Sequence, residues 1–204
     1  MIRTMSLASL IAMLPAAAVA QGADEATLAA KATEAERVAA AAEEMRVGPV
    51  VGAQAPAVSV VGPAGAVSFT DIAGEKGTVV AFFRSADWCP FCKKQLIDLE
   101  AAAAPLAKAG WTLAGVSYDS PEVLAGFKAD KGLSYELYSD TGSAAIDAFD
   151  LRNHEMQAGS RYDGIPHPAI IFIGADGEVK AVMREEGYKD RPAVDMVIAM
   201  AAAL

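Results

Sequence analysis

The hydrophobic pattern divides the chain into short apolar runs separated by polar turns, and the runs alternate between two periods. After Thr78, residues 79–83 are unbroken apolar, the mark of a strand buried on both faces. From Pro90 the period changes: Leu96, Leu99 and Ala103 fall on one helical face, and Gly110 supplies a stop near Lys108. Residues 111–118 alternate and predict the next strand. Ser120-Pro121-Glu122 opens a helix with proline at its first position, ending near Gly132. A short strand at 135–139, a short helix at 143–149 and an apolar strand at 169–173 follow. Asp176-Gly177 turns that strand into another at 178–184, which predicts a hairpin, and 192–204 closes the chain as an amphipathic helix. Residues 151–167 are irregular and polar, with Gly159, Gly164 and Pro166. That is long for a connection inside a compact domain and points to function or mobility.

The first part of the chain is patterned differently. Residues 1–20 read as a secretory leader: Arg3 gives the positive start, 7–14 an apolar core, and Ala18-Val19-Ala20 a small-x-small cleavage site before Gln21. The apolar run is short for a membrane span and Pro15 interrupts it. Residues 23–46 are alanine- and glutamate-rich, with Asp24 to cap a helix and Gly48-Pro49 to stop it. Leu28, Ala32, Ala35, Ala39 and Ala42 make a weak stripe; alanine offers little area to bury, so this helix reads as a spacer lying on the domain or partly free rather than a dimerisation or docking helix. Residues 48–65 are rich in glycine and proline, with a short strand at 58–61, a second at 67–69, and a single turn capped by Thr70-Asp71. The predicted organisation is a leader (1–20), a helical extension (21–49) and one α/β domain (50–204). The domain's element order is β-α-β-α-β-α, then a hairpin and a helix. Crossovers make the early strands parallel, and the hairpin adds an antiparallel edge to one mixed sheet flanked by helices.

Composition narrows the function. The 204 residues are long enough for one sizeable core, and 53% hydrophobic content argues against disorder. The formal charge of −9 disfavours nucleic acid, whose binding rests on phosphate neutralisation, and no polybasic patch suits anionic lipid. With the leader removed no stable membrane anchor remains, so the mature chain is expected to be exported, into a bacterial periplasm.

The chemistry is concentrated where the strand at 79–83 gives way to the helix from Pro90. Cys89 and Cys92, the only cysteines, sit at that junction. A dithiol at a helix start after a buried strand is an arrangement for redox work. The thiolate is the nucleophile in disulfide exchange. Unsatisfied N–H groups and the helix dipole favour it at Cys89, below the free thiol value of roughly 8.5. Cys92, one turn on, is placed to attack a mixed disulfide formed at Cys89. Pro90 fixes the backbone between them, and Trp88 and Phe91 flank the pair as a docking surface or a shield. Lys93 and Lys94 add positive potential. The two cysteines close too small a loop to serve as a structural staple. Zinc needs more ligands than two cysteines and the distant His154 and His167 offer; no metal and no other cofactor is implied. A second candidate site is Pro166-His167-Pro168, just before the apolar strand: either an ordinary turn into that strand, or a cis proline that would set backbone groups opposite the dithiol to hold a substrate strand.

Trp88-Cys89-Pro90-Phe91-Cys92, set between strand and helix, resembles the thioredoxin-fold active site. Residues 116–122 (Val-Ser-Tyr-Asp-Ser-Pro-Glu), Tyr138-Ser139-Asp140 and 171–177 (Ile-Phe-Ile-Gly-Ala-Asp-Gly) resemble the redoxin branch of that superfamily, the AhpC/TSA and peroxiredoxin-like proteins. The likeness covers about 50–204 and implies a thioredoxin-like fold with Pro168 as the family's cis proline. The chain also departs from it. Peroxiredoxins carry Thr or Ser three residues before the reactive cysteine, where this chain has Ala86. They carry an arginine before the late strand, where it has His167-Pro168. Thioredoxins bury an aspartate where it has Phe83, which leaves Asp87 or water to move the proton at Cys92. The resulting expectation is an exported thiol–disulfide oxidoreductase acting on a protein disulfide: Cys89 attacks, Cys92 resolves, Trp88, Pro90, Phe91, His167 and Pro168 hold the substrate, and a redox partner supplies or accepts electrons. The alternatives are a peroxiredoxin-like peroxidase using the same cysteines and a non-catalytic binding module on the same fold.

Overall fold

The computed structural model describes residues 16–204 apart from residue 188. Of the predicted leader, residues 1–15 lie outside the described residues. The first helix, α1, runs Ala16–Glu44, so it begins before the expected cap at Asp24 and passes through it. No glycine-proline break or β-branched run separates 16–20 from the alanine-rich stretch, and nothing local ends the helix earlier. Among the described residues no helix is long and apolar enough to cross a membrane.

The strands are β1 (Val60–Gly62), β2 (Gly65–Val67), β3 (Gly77–Phe82), β4 (Trp111–Ser117), β5 (Glu136–Ser139), β6 (Ala169–Gly174) and β7 (Val179–Met183). Between them lie α2 (Pro90–Lys108), α3 (Pro121–Lys131) and α4 (Ala144–Ala148), and α5 (Val194–Ala203) closes the chain. The strands form a single seven-stranded sheet in the order β2-β1-β5-β4-β3-β6-β7. β3, β4 and β5 are parallel, and β6 pairs antiparallel with β3 and with β7. This is the mixed α/β sheet the crossovers and the late hairpin call for. The first hairpin is displaced from its expected place: β2 ends at Val67, because Ser68 leaves the ladder to close a turn in which its N–H and hydroxyl both donate to Asp71. Phe69 then turns into the core.

β3 is the centre of the sheet, and all six of its residues are buried. It needs glycine at its start: Gly77 has φ of +148°, and a Cβ there would run into the carbonyl oxygen of Ile173 on β6. Alternation along the strand splits the core in two. Val79, Ala81 and Phe83 pack with Leu96 and Leu99 of α2, Leu124 of α3 and Val197 of α5. Val80 and Phe82 pack with Val116, Ile146 and Ile171 on the other face. There Phe82 meets Phe149 and Phe69 with ring centroids 5.2 and 6.1 Å apart. Burying each of those rings contributes about 2 kcal/mol.

Two flanking pieces complete the domain. α1 lies against α5 and β7, burying Ala35 and Ala42, so the alanine stripe is a docking face on its own chain. Residues 52–55 run beside β7: Gly52 N–H donates to Val179 O, Val179 N–H to Ala53 O and Ala55 N–H to Gly177 O, at 2.8, 2.9 and 2.8 Å.

Candidate functional site

The site lies at the carboxyl end of β3, where parallel strands leave a crevice for ligands. Phe83 N–H still donates to Val116 O at 3.0 Å; beyond it the chain leaves the sheet and makes the turn to Cys89. A buried carboxylate holds that turn. Asp119, just past β4, accepts from Ser85 Oγ at 2.8 Å, from Ala86 N–H at 2.7 Å and from Ser117 Oγ at 2.9 Å. Ser85 Oγ in turn accepts from the N–H groups of Asp87 and Trp88. Burial pushes the Asp119 carboxyl above the ordinary carboxylate value, and the three donors pull partly against it. Sequence reasoning quoted this aspartate in its motif but gave it no task.

Cys89 is the N-cap of α2, with an extended backbone (φ −94°, ψ 103°) and a Sγ that accepts from Cys92 N–H at 3.3 Å. Pro90 follows at the first helical position, where its missing N–H is harmless. The two sulfurs are bonded in a disulfide, with Cα atoms 5.3 Å apart. Both cysteines are buried, Cys89 at 2% and Cys92 at 0% exposure.

The proposed flanking residues split into two kinds. Pro90 and Phe91 are exposed beside the disulfide, and Lys189 stands over the Phe91 ring at 5.9 Å. Trp88 is half-buried and tied down: its indole N–H donates to Tyr118 Oη at 3.0 Å, and Tyr118 Oη donates to Arg161 O at 2.6 Å. Its ring meets Tyr162 edge-on at 4.8 Å. The irregular stretch before β6 is therefore anchored to the redox turn. Arg152 reinforces it by pairing with Asp147 and, at 2.8 Å, with Asp163.

His167 and Pro168 come beside the turn through the pairing of Phe82 with Ala169. His167 is half-buried, and its backbone N–H donates to Leu151 O at 2.7 Å. The expected cis proline is a correction: no peptide bond among the described residues is cis, so the His167–Pro168 bond is trans, and Pro168 itself is buried. The pairing of Arg152 with Pro166, together with the His167–Leu151 hydrogen bond, guides the segment into β6 in the trans form.

Burial holds the His167 imidazole below its ordinary value of 6.5; Arg184 and Arg84 push the same way and Glu155 opposes them. A depressed folded value favours the neutral ring, so its contribution is complete above 6.5 and is lost as pH falls through the lowered value. The melting temperature should therefore drop as pH falls below 6.5, and His167→Gln should flatten that limb. An identical pH profile for the variant would remove His167 as its source.

Asp87 was expected to serve proton transfer at Cys92. It is exposed, and the carboxylate its charge acts on is Asp119. The polar group at Cys92 is instead Arg191, from the segment before α5, whose Nη2 lies 3.6 Å from Cys92 Sγ. Among the described residues no cluster of His, Cys, Asp and Glu has a metal-binding arrangement. A groove of about 290 Å³ runs between α2 and the segment before α5, lined by Phe91, Gln95 and Arg191.

Three comparisons bear on this geometry. Peroxiredoxin Bcp of Escherichia coli K12 is 32% identical over 116 residues, which is 57% of this chain and 72% of that protein. The solved structure of Xanthomonas campestris peroxiredoxin Q superposes with a TM-score of 0.62 at 26% identity, over 76% of this chain and 97% of that one. A structure of the bacterioferritin comigratory protein of the same organism gives 0.62 at 25% identity, over 76% and 98%. The model of the AhpC/TSA family matches residues 51–182, a span that runs from before β1 into β7 and includes the Cys89–Cys92 turn and the His167 segment. With its dithiol at the start of α2 on a thioredoxin-like sheet, this oxidoreductase belongs to the AhpC/TSA family.

Proposed function

We propose that this chain is a thiol-dependent peroxidase in which Cys89 is oxidised by a hydroperoxide and Cys92 closes the disulfide. The observation that carries the reading is the place of Cys89: N-cap of α2, its sulfur facing a helical N–H, with a second sulfur in bonding reach. The likeness to peroxiredoxins, one of them described for alkyl peroxide reduction, turns that dithiol toward peroxides rather than toward the protein disulfides expected from the sequence.

The steps follow from the geometry. In the reduced protein the Cys89 thiolate is stabilised by the N-terminal N–H groups and dipole of α2. It attacks the terminal oxygen of the hydroperoxide. The O–O bond breaks, an S–O bond forms, and the alkoxide takes a proton to leave as alcohol, or as water from hydrogen peroxide. Cys89 is now a sulfenic acid. Cys92 attacks its sulfur, the S–O bond breaks, and hydroxide leaves as water with one proton. A dithiol reductant then opens the disulfide by exchange and returns both cysteines to thiols.

Two features favour disulfide exchange as a second reading: the turn offers Ala86, with no hydroxyl to orient a peroxide, and the late strand is preceded by His167-Pro168. Stopped-flow oxidation of the reduced protein by hydrogen peroxide separates the two. The peroxidase reading expects Trp88 or Trp111 fluorescence to report oxidation at least about a hundredfold faster than a free thiol reacts at the same pH. A free-thiol rate, together with rapid reduction of a protein disulfide, would leave the exchange reading standing alone.

A further inference from the structure

Arg191 sits outside every motif in the chain, yet it reaches the reacting sulfurs. Its guanidinium is held from three sides: Nε donates to Gln95 Oε1 at 2.7 Å, Nη1 to the Asp190 carbonyl at 2.6 Å, and Nη2 to Cys92 Sγ at 3.6 Å. Gln95 is itself buried, on α2 one turn past Cys92, so the fork is fixed to the helix that carries the dithiol. A planar guanidinium with fixed partners presents a directed donor at little further entropic cost. Resting on the peroxidase reading, we propose that Arg191, fixed by Gln95, stabilises the thiolate of Cys92, so that Cys92 is both a ready nucleophile toward the Cys89 sulfenic acid and a good leaving group when the disulfide is reduced.

The two cysteines need different help. Cys89 has the end of α2 to support its charge, while Cys92 lies inside the first turn, at 0% exposure, with no helix end of its own. A buried thiol without a charged neighbour is held protonated, and a protonated Cys92 resolves slowly. The charges around it are assigned by element. On the Cys89 turn are Arg84 and the exposed Asp87; on α2 are Lys93 and Lys94, the latter paired with Asp98 at 2.5 Å; before α5 are Lys189, Asp190 and Arg191; near β6 and β7 are His167 and Arg184. Asp119 behind the Cys89 turn, Glu155 near His167 and Glu185 after β7 add anions, and Arg191 is the group with a donor on the sulfur. Burial and the neighbouring Arg84 bring the Arg191 guanidinium down to about 10, so it still carries its charge at neutral pH.

In the resolving step the Cys92 thiolate forms the S–S bond and Cys89 loses hydroxide, which takes a proton and departs as water. The Cys92 sulfur is oxidised, the Cys89 sulfur is reduced, and Arg191 exchanges no proton. On reduction by a dithiol protein attacking Cys89, the electron pair of the broken S–S bond returns to Cys92, again facing Arg191.

The test uses the full chain. In Cys89→Ser the remaining thiol is titrated by thiolate absorbance, alone and combined with Arg191→Met or Arg191→Lys. The expected result is a rise of about one in the Cys92 pKa with methionine, a tenfold loss of thiolate near neutrality, and partial rescue with lysine. With both cysteines present, Arg191→Met should slow closure of the disulfide about tenfold while sulfenic acid at Cys89 forms at an unchanged rate, read by a trapping reagent. Equal Cys92 titrations in all three proteins would overturn the proposal, as would unchanged closure. Should methionine prevent folding, the lysine variant and Gln95→Leu, which frees the fork, give the same two readouts. The titration needs no peroxide, so a protein inert to peroxide but with the expected Cys92 shift would sink the peroxidase reading and leave the Arg191 assignment intact.

Discussion

Serine in place of Cys89 should reduce peroxide consumption to background, a loss of roughly three orders of magnitude or more. The reason is positional as well as chemical. Cys89 is the sulfur at the cap of α2, where the helix N–H groups meet its charge, and Cys92 lies one turn inside. The variant should fold well, because serine is itself a favoured N-cap and its Oγ can accept from Cys92 N–H as the sulfur does. Loss of activity with an unchanged melting temperature is therefore the expected pair of results. Cys92→Ser should behave differently: one rapid oxidation per chain, then a stalled sulfenic acid. If Cys89→Ser kept a tenth of the wild-type rate, the assignment of attack to Cys89 would be wrong.

The second large effect is expected at Asp119. Its carboxylate takes three hydrogen bonds in a setting that is 8% exposed, and two of the donors, Ser85 Oγ and Ala86 N–H, belong to the turn that delivers Cys89. Asp119→Ala strands all three. Unsatisfied buried donors make this a loss of about 3 kcal/mol, or roughly 6–12 °C in melting temperature for a chain of this size. The turn would also lose its anchor, and the first oxidation step should slow about tenfold from misplacement of Cys89. Asp119→Asn should lose much less, because burial already presses the carboxyl toward its neutral form and the amide still offers an oxygen to Ala86. Calorimetry and stopped-flow oxidation on the two variants separate these outcomes; equal melting temperatures for alanine and wild type would show that the network does not hold the turn.

The contrast between Cys89 and Asp119 shows where sequence reasoning succeeds. α2 was legible at both ends, since Pro90 marks its first position and Gly110 its stop, and β3 was legible because unbroken apolar character admits few other placements. The parallel run of β3, β4 and β5 and the late hairpin followed from the same local signals. The reacting sulfurs were legible because both lie in one short motif. What supports them was not. Asp119 reaches the turn across 33 residues and Arg191 reaches Cys92 across 99, and no local pattern encodes such meetings. The geometry of Pro168 also lay beyond local signals: likeness to relatives suggested a cis bond, but isomer choice depends on the tertiary contacts of Leu151 and Arg152 with the segment. The start of α1 was missed because an alanine-rich stretch contains no stop, and a cap residue inside it is simply overrun.

The strip at 52–55 alongside β7 has a consequence for how copies of this chain meet. A seven-stranded sheet ordinarily presents two rows of unpaired backbone groups, each a template for adding a foreign strand. Here one row is occupied by Gly52, Ala53 and Ala55, with α1 lying close by, and the other belongs to β2, which is only three residues long. Strand-by-strand growth into fibres or swapped dimers is thus discouraged at both ends. The exposed rings of Phe91 and Tyr162 offer a side-chain surface that needs no strand edge.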